Sequence, residues 1–190
     1  MSSGPSPVTW LPADGPGRPR PPSSSPHSST SSPLTGTPPA PPAATIPCAT
    51  PSPAAGRLPA GPCLELGSGT GLFTPLLTAS FPHVISVDLS LRMLQQAHGR
   101  SPVRIQADAS TLPLPDSSVT AIAAIDMLLF PTETARVLTH HGALLWINQL
   151  GSDGPLYLPA ADVAAALPGT WQATESEAGW GSWAVLRRTR

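Results

Sequence analysis

A doubly wound α/β sheet is the architecture expected of this chain, and three features of the sequence lead to it. Short apolar runs alternate with segments of helical spacing from residue 63 to the end of the chain. Several of those runs stop at an acid or an amide. The first of them, Cys63-Leu64-Glu65-Leu66, leads straight into Gly67-Ser68-Gly69-Thr70-Gly71. Strands alternating with helices predict a parallel sheet covered on both faces, and ligands of such sheets gather beyond the carboxyl ends of the strands.

Composition divides the chain before any element is assigned. Of its 27 prolines, 18 precede Cys63 and 9 follow it. Stretches such as Pro21-Pro22-Ser23-Ser24-Ser25-Pro26 and Pro38-Pro39-Ala40-Pro41-Pro42 have little apolar surface to bury. They cannot offset the entropy of ordering. Residues 1–55 are therefore expected to be a disordered Pro/Ser/Thr-rich tail, and residues 56–190 a single α/β domain. The chain has no lysine, and its longest arginine run is Arg187-Arg188. A nucleic-acid surface built on phosphate neutralisation is disfavoured, and a small-molecule substrate is expected. No apolar run approaches the length of a membrane span, and no secretory leader pattern is present. Cys48 and Cys63 form neither a metal-ligand spacing nor a disulfide framework, so no metal is expected and a reducing cytoplasm suits the domain.

The first unit is the strand at Cys63–Leu66, the glycine turn, and a helix carrying Leu72, Phe73, Leu76 and Leu77, with Pro75 in its first turn and its end near Ser80. Val84 to Val87 is a second strand stopping at Asp88. Ser90 then caps a helix from Leu91 to His98 that Gly99 closes. Val103 to Ala107 alternates as a third strand and ends at Asp108. Leu112-Pro113-Leu114-Pro115-Asp116 is a loop, and Val119 to Ile125 is a buried parallel strand. A helix over Pro131–Leu138 leads through Gly142 to a fifth strand at Ala143–Ile147. A last helix spans Pro159–Leu167. Trp171 to Glu177 and Trp180 to Arg188 read as an antiparallel hairpin around Ala178-Gly179.

The residues just past the strands are the candidate site: the glycine loop, Asp88, Asp108, Asp126 with Met127, and Asn148 with Gln149. Glycines at alternate positions turn the backbone sharply and leave one side bare for a nucleotide-like ligand, although a tight turn without a ligand has the same look. Asp88 stands 21 residues past Gly67, near the spacing of about 20 at which an acid meets ribose hydroxyls; a turn or capping aspartate is its plainer reading. A dinucleotide fingerprint needs glycine at the sixth position counted from Gly67. Leu72 stands there, which sets an NAD-dependent oxidoreductase aside.

Glu65 followed by Gly67-x-Gly69-x-Gly71 instead resembles the first motif of the class I S-adenosylmethionine-dependent methyltransferases. Asp88, Ala107-Asp108-Ala109, Leu112 to Ser118 and the closing hairpin are also similar to that family, in the same order, over residues 57–190. The resemblance implies a mostly parallel, seven-stranded Rossmann-like sheet with a C-terminal antiparallel hairpin, and S-adenosyl-L-methionine as cofactor. It further implies that Glu65 and the loop of Gly67, Ser68, Gly69 and Gly71 hold the methionine end. Asp88 would hold the ribose, Asp108 would accept from the adenine amino group, and Leu89 and Ala109 would flank the ring.

Methyl transfer from a sulfonium disperses charge, so alignment does most of the work and a general base is not obligatory. Where one is needed, Asp126 is the acid that topology places for it, with Asn148 and Gln149 to orient substrate. His140-His141 precede the expected fifth strand and read as helix-end structure. Trp171, Trp180 and Trp183 read either as an aromatic wall or as cross-strand packing. Members of the family usually carry helices before the first motif, where this chain has the Pro/Ser-rich tail. A minimal open core, a start in sequence that does not fold with the domain, and a nucleoside-binding module without turnover all remain open at this point.

Overall fold

The computed structural model describes residues 55–179 and 181–189. Residues 1–54 of the expected tail and Trp180 lie outside them. Seven strands, β1 (Pro62–Leu66), β2 (His83–Asp88), β3 (Val103–Gln106), β4 (Val119–Ile125), β5 (Leu138–Asn148), β6 (Trp171–Ala178) and β7 (Gly181–Arg188), alternate with helices. These are α1 (Thr74–Ser80), α2 (Leu91–Gln96), α3 (Pro131–Val137) and α4 (Ala160–Ala166). The sheet order is β3-β2-β1-β4-β5-β7-β6. β7 runs antiparallel to both its neighbours and the remaining pairs are parallel. The chain moves outward from β1 to β3 and then returns to the other side of β1 with β4. The sheet thus has its topological switch point at the end of β1, where the glycine loop sits.

Period-two alternation sends each strand's side chains to two cores. Leu64, Ile122, Leu144, Trp146 and Leu186 pack with Val137 and Val163 on one face. Cys63, Ala121, Ala123, Leu145 and Val185 pack with Leu77 and Phe81 on the other. Both faces of β4 are therefore buried, which is why its apolar run is unbroken.

Three expected boundaries move. α1 begins at Thr74, leaving Leu72 in the turn and exposed. α2 ends at Gln96: the Ala97 N–H bonds back to Met93 O, and Gly99 at φ +85° turns the chain away before His98 can continue the helix. The Ser90 cap is as expected, its Oγ accepting from Met93 N at 3.3 Å. β5 starts at Leu138 rather than Ala143, because the pairing with β4 shifts register between Val119 and Ala121. A Cβ at Gly142 would lie 2.9 Å from Thr120 O, so only glycine lets the strands close up there. His140 and His141 are consequently exposed strand residues rather than a helix end, with ring centroids 4.8 Å apart. They remain at the amino end of β5, away from the ligand edge.

The loop from β3 to β4 is stapled by Arg136 of α3, which donates to Leu112 O and Leu114 O and pairs with Glu133 and Asp116. At the start of the domain Arg187 of β7 donates to Ala55 O at 2.8 Å and Arg57 O at 3.1 Å. Ala55, placed by composition on the tail side of the boundary, is buried. Because β7 is antiparallel, this anchor lies at the amino ends of the parallel strands, opposite the glycine loop.

Candidate functional site

The turn after β1 is fixed by main-chain bonds from Ser68 N to Val87 O and from Gly71 N to Ser68 O. Gly67 and Gly69 both have left-handed backbones, φ +65° and +55°. They do different things. A Cβ on Gly67 would come within 2.6 Å of Met127 Sδ, so that glycine lets the residue after β4 close over the loop. A Cβ on Gly69 would meet no atom within 4 Å, which leaves that side of the loop open. Ser68 Oγ is buried and has no hydrogen-bond partner among the described residues.

Glu65 lies behind the loop and is 2% exposed. Its Oε2 accepts from Thr74 Oγ1 at 2.6 Å and Ser86 Oγ at 2.7 Å. Ser101 Oγ in turn donates to Ser86 Oγ at 2.7 Å. The hydroxyls tie β1, β2 and the start of α1 to one carboxylate, while Oε1 receives no donor among the described residues. Burial pushes the Glu65 carboxyl above its ordinary range, and the two hydroxyl bonds oppose that rise.

Asp88, at the end of β2, does two jobs within the fold. Its Oδ2 accepts from Gly69 N at 2.7 Å and its Oδ1 from Ser90 N at 2.8 Å. Each oxygen has a further lone pair, so a diol can still be taken up. Leu89 beside it is an apolar side chain 70% exposed. Asp108 is also exposed. Its carboxylate accepts from Ser110 N at 2.8 Å, a turn bond that holds its carboxyl below the usual range. Ala109 is buried in the core cluster that contains Val87 and Leu112. Ala107 N bonds to Asp88 O, so the ends of β2 and β3 bring Asp88, Leu89 and Asp108 to one edge.

Asp126 follows β4 with φ +46°, a strained conformation for a residue with a side chain. Both its oxygens are used: Oδ1 accepts from Gln149 N at 2.9 Å and Oδ2 from Gln149 Nε2 at 2.6 Å. Two residues named separately from the sequence thus form one clamp joining the ends of β4 and β5. Beyond it lies a cavity of ≈ 300 Å³ lined by Trp146, Asn148, Tyr157, Glu175, Glu177 and Trp183 among others. Trp171 and Trp183 are both largely buried, as cross-strand packing requires, and Trp183 also borders this cavity.

The Thr74–Ser86–Ser101 relay and the acids of β6 escape a reading of the sequence. Hydroxyls carry no spacing signature, and the i, i+2 pair Glu175 and Glu177 reads as a solvated strand face. Among the described residues no cluster of three or more His, Cys, Asp or Glu could hold a metal, and no helix is long and apolar enough to cross a membrane.

Residues 64–145 match the family model of a methyltransferase domain. The sequence has no match among curated proteins. Among solved structures, a SAM-dependent methyltransferase from Thermotoga maritima superposes with a TM-score of 0.55 at 17% identity, covering 70% of this chain and 84% of that one. A SAM-dependent methyltransferase from Aquifex aeolicus gives 0.54 at 19% identity, over 69% and 83%. The complex of DhpI with SAH gives 0.55 at 21% identity, over 75% and 83%.

Proposed function

We propose that the chain is a class I S-adenosylmethionine-dependent methyltransferase, a reading supported by the methyltransferase-domain match over residues 64–145 and by the shared fold. In this proposal it transfers the methyl group of that cofactor to a small-molecule acceptor, and the Gly67–Gly71 loop with Asp88 is the cofactor cradle. The observation that carries this is the open side of Gly69, bonded directly to Asp88 and adjoined by the unpartnered Ser68 hydroxyl. An orphaned buried hydroxyl costs free energy unless a ligand satisfies it, and S-adenosylmethionine has the polar groups to do so.

In this reading Asp88 takes the ribose hydroxyls on its remaining lone pairs. Glu65 holds the methionine end through Oε1 and through the loop it fixes. Leu89 and Ala109 border the adenine, with Asp108 at its amino edge. When bound, the cofactor supplies an electrophilic methyl on a sulfonium. The chain's own part is alignment, which can contribute ~7–11 kcal/mol without a strong base. Asp126, held in place by Gln149, is the carboxylate at hand to take the acceptor's proton. A small-molecule acceptor is supported by the scarcity of basic residues and by the cavity past β5. A cytoplasmic setting suits the buried Cys63 thiol.

The test is turnover: the full chain is incubated with S-adenosylmethionine and a panel of amines, phenols and carboxylates, and S-adenosylhomocysteine is quantified. Acceptor-dependent formation of that product is expected. Cofactor binding with no product across the panel would favour a nucleoside-binding module instead.

A further inference from the structure

The geometry points to the cavity beside β5 as a site for a small organic amine bound as its ammonium ion. On the methyltransferase reading above it becomes the methyl acceptor once it gives its proton to a neighbouring carboxylate, the freed lone pair forming the N–C bond as the C–S bond of the sulfonium breaks. Three rows of side chains cross β5, β7 and β6 on one face of the sheet. Leu144, Leu186 and Ala173 form the first row, Trp146, Ala184 and Glu175 the second, and Asn148, Ser182 and Glu177 the third. The first row belongs to the apolar core. The next two carry a carboxylate at the β6 position where the same face has just held Trp171 and Ala173. These acids are exposed and border the cavity on that face of the sheet.

Asn148 gives a second, independent sign of a ligand. It is 5% exposed, and its Nδ2 donates to Leu158 O at 3.3 Å and toward Ser182 Oγ at 3.5 Å. Its Oδ1 receives no donor among the described residues, although the residue lines the cavity. An adjoining hollow of ≈ 230 Å³ shares Tyr157, Glu177 and Ser182 and adds Asp153. Among the described residues no arginine or histidine lines either space, and neither glutamate has an ion-pair partner. The groups that border the cavity without a donor among the described residues are acceptors, two of them carboxylates, so the fitting ligand is a donor that carries positive charge. Trp146 and Tyr157 add aromatic surface of the kind that attracts ammonium groups. Acids placed only to keep the edge strand β6 from pairing with another chain would show no such preference.

Calorimetry on the full-length protein, with and without S-adenosylhomocysteine, compares three probes of one shape: phenethylammonium, 2-phenylethanol and 3-phenylpropionate. Phenethylammonium should bind at least tenfold more tightly than the alcohol, and the carboxylate should not bind. Glu175→Gln/Glu177→Gln should erase that preference while leaving the melting temperature and the affinity for S-adenosylhomocysteine unchanged. Equal binding of ammonium and alcohol, or a double variant that still prefers the ammonium, would overturn the site. An ammonium preference in a protein that fails to bind S-adenosylhomocysteine would keep the cavity's selectivity and remove the methyltransferase reading.

Discussion

Glu65 is a carboxyl group kept out of water and answered only by hydroxyls, and that has a consequence for stability. Its folded pKa lies above the ordinary value of about 4.5, so protonation favours the fold. The contribution of this residue is full below that ordinary value and is lost as pH rises through the raised one. Glu133 has the opposite sign: its bonds to Arg136 and Leu112 N lower its pKa. Its contribution is present above the ordinary value and is lost as pH falls through the lowered one. Chemical unfolding of Glu65→Gln and the parent from acid to neutral pH should show the difference moving in favour of the variant as pH rises. Glu133→Gln should move against its parent over the same direction. A pH-independent difference for Glu65→Gln would mean that the carboxyl is not desolvated in the fold.

At the scale of elements, legibility followed the strength of the packing signal. β4 was readable to the residue because both faces of the strand are buried and the apolar run is continuous. The amino-terminal half of β5 was not. Leu138 to Gly142 has no alternation, and its place in the sheet depends on a register shift against β4 that only the partner strand reveals. The end of α2 was overextended because apolar spacing carries on to Ala97, and the left-handed turn at Gly99 decides the matter. The candidate site follows the same rule. Asp88, Asp108 and Asp126 could be named because each ends an apolar run. Their partners could not, since the bond from Gly69 N to Asp88 and the clamp of Gln149 on Asp126 join residues far apart in the chain. The ligand role of Glu65 rests on the resemblance, whereas its contacts with Thr74 and Ser86, which tie the glycine loop to β2, come from hydroxyls that carry no spacing signature.

For the whole molecule, the division into tail and domain predicts that removing residues 1–53 leaves the melting temperature nearly unchanged, because so polar and proline-rich a segment has little surface to bury. Removing residues 1–57 instead takes away the two carbonyls held by Arg187 and the buried Ala55. That loss should cost roughly 1–3 kcal/mol, a drop of several degrees. Equal melting temperatures for the two truncations would show that the Arg187 anchor contributes nothing. The central claim, that the glycine loop and Asp88 hold S-adenosylmethionine, is tested most directly by calorimetric titration of S-adenosylhomocysteine into the full chain and its Gly69→Val variant. A valine there meets no protein atom within 4 Å of its Cβ but fills the open side of the loop, at a backbone cost of ~1–2 kcal/mol that leaves the domain folded. One site is expected in the parent and an affinity at least about a hundredfold weaker in the variant, a difference of ~2.7 kcal/mol. A parent that does not bind, or a folded variant that binds as tightly as the parent, would contradict the claim.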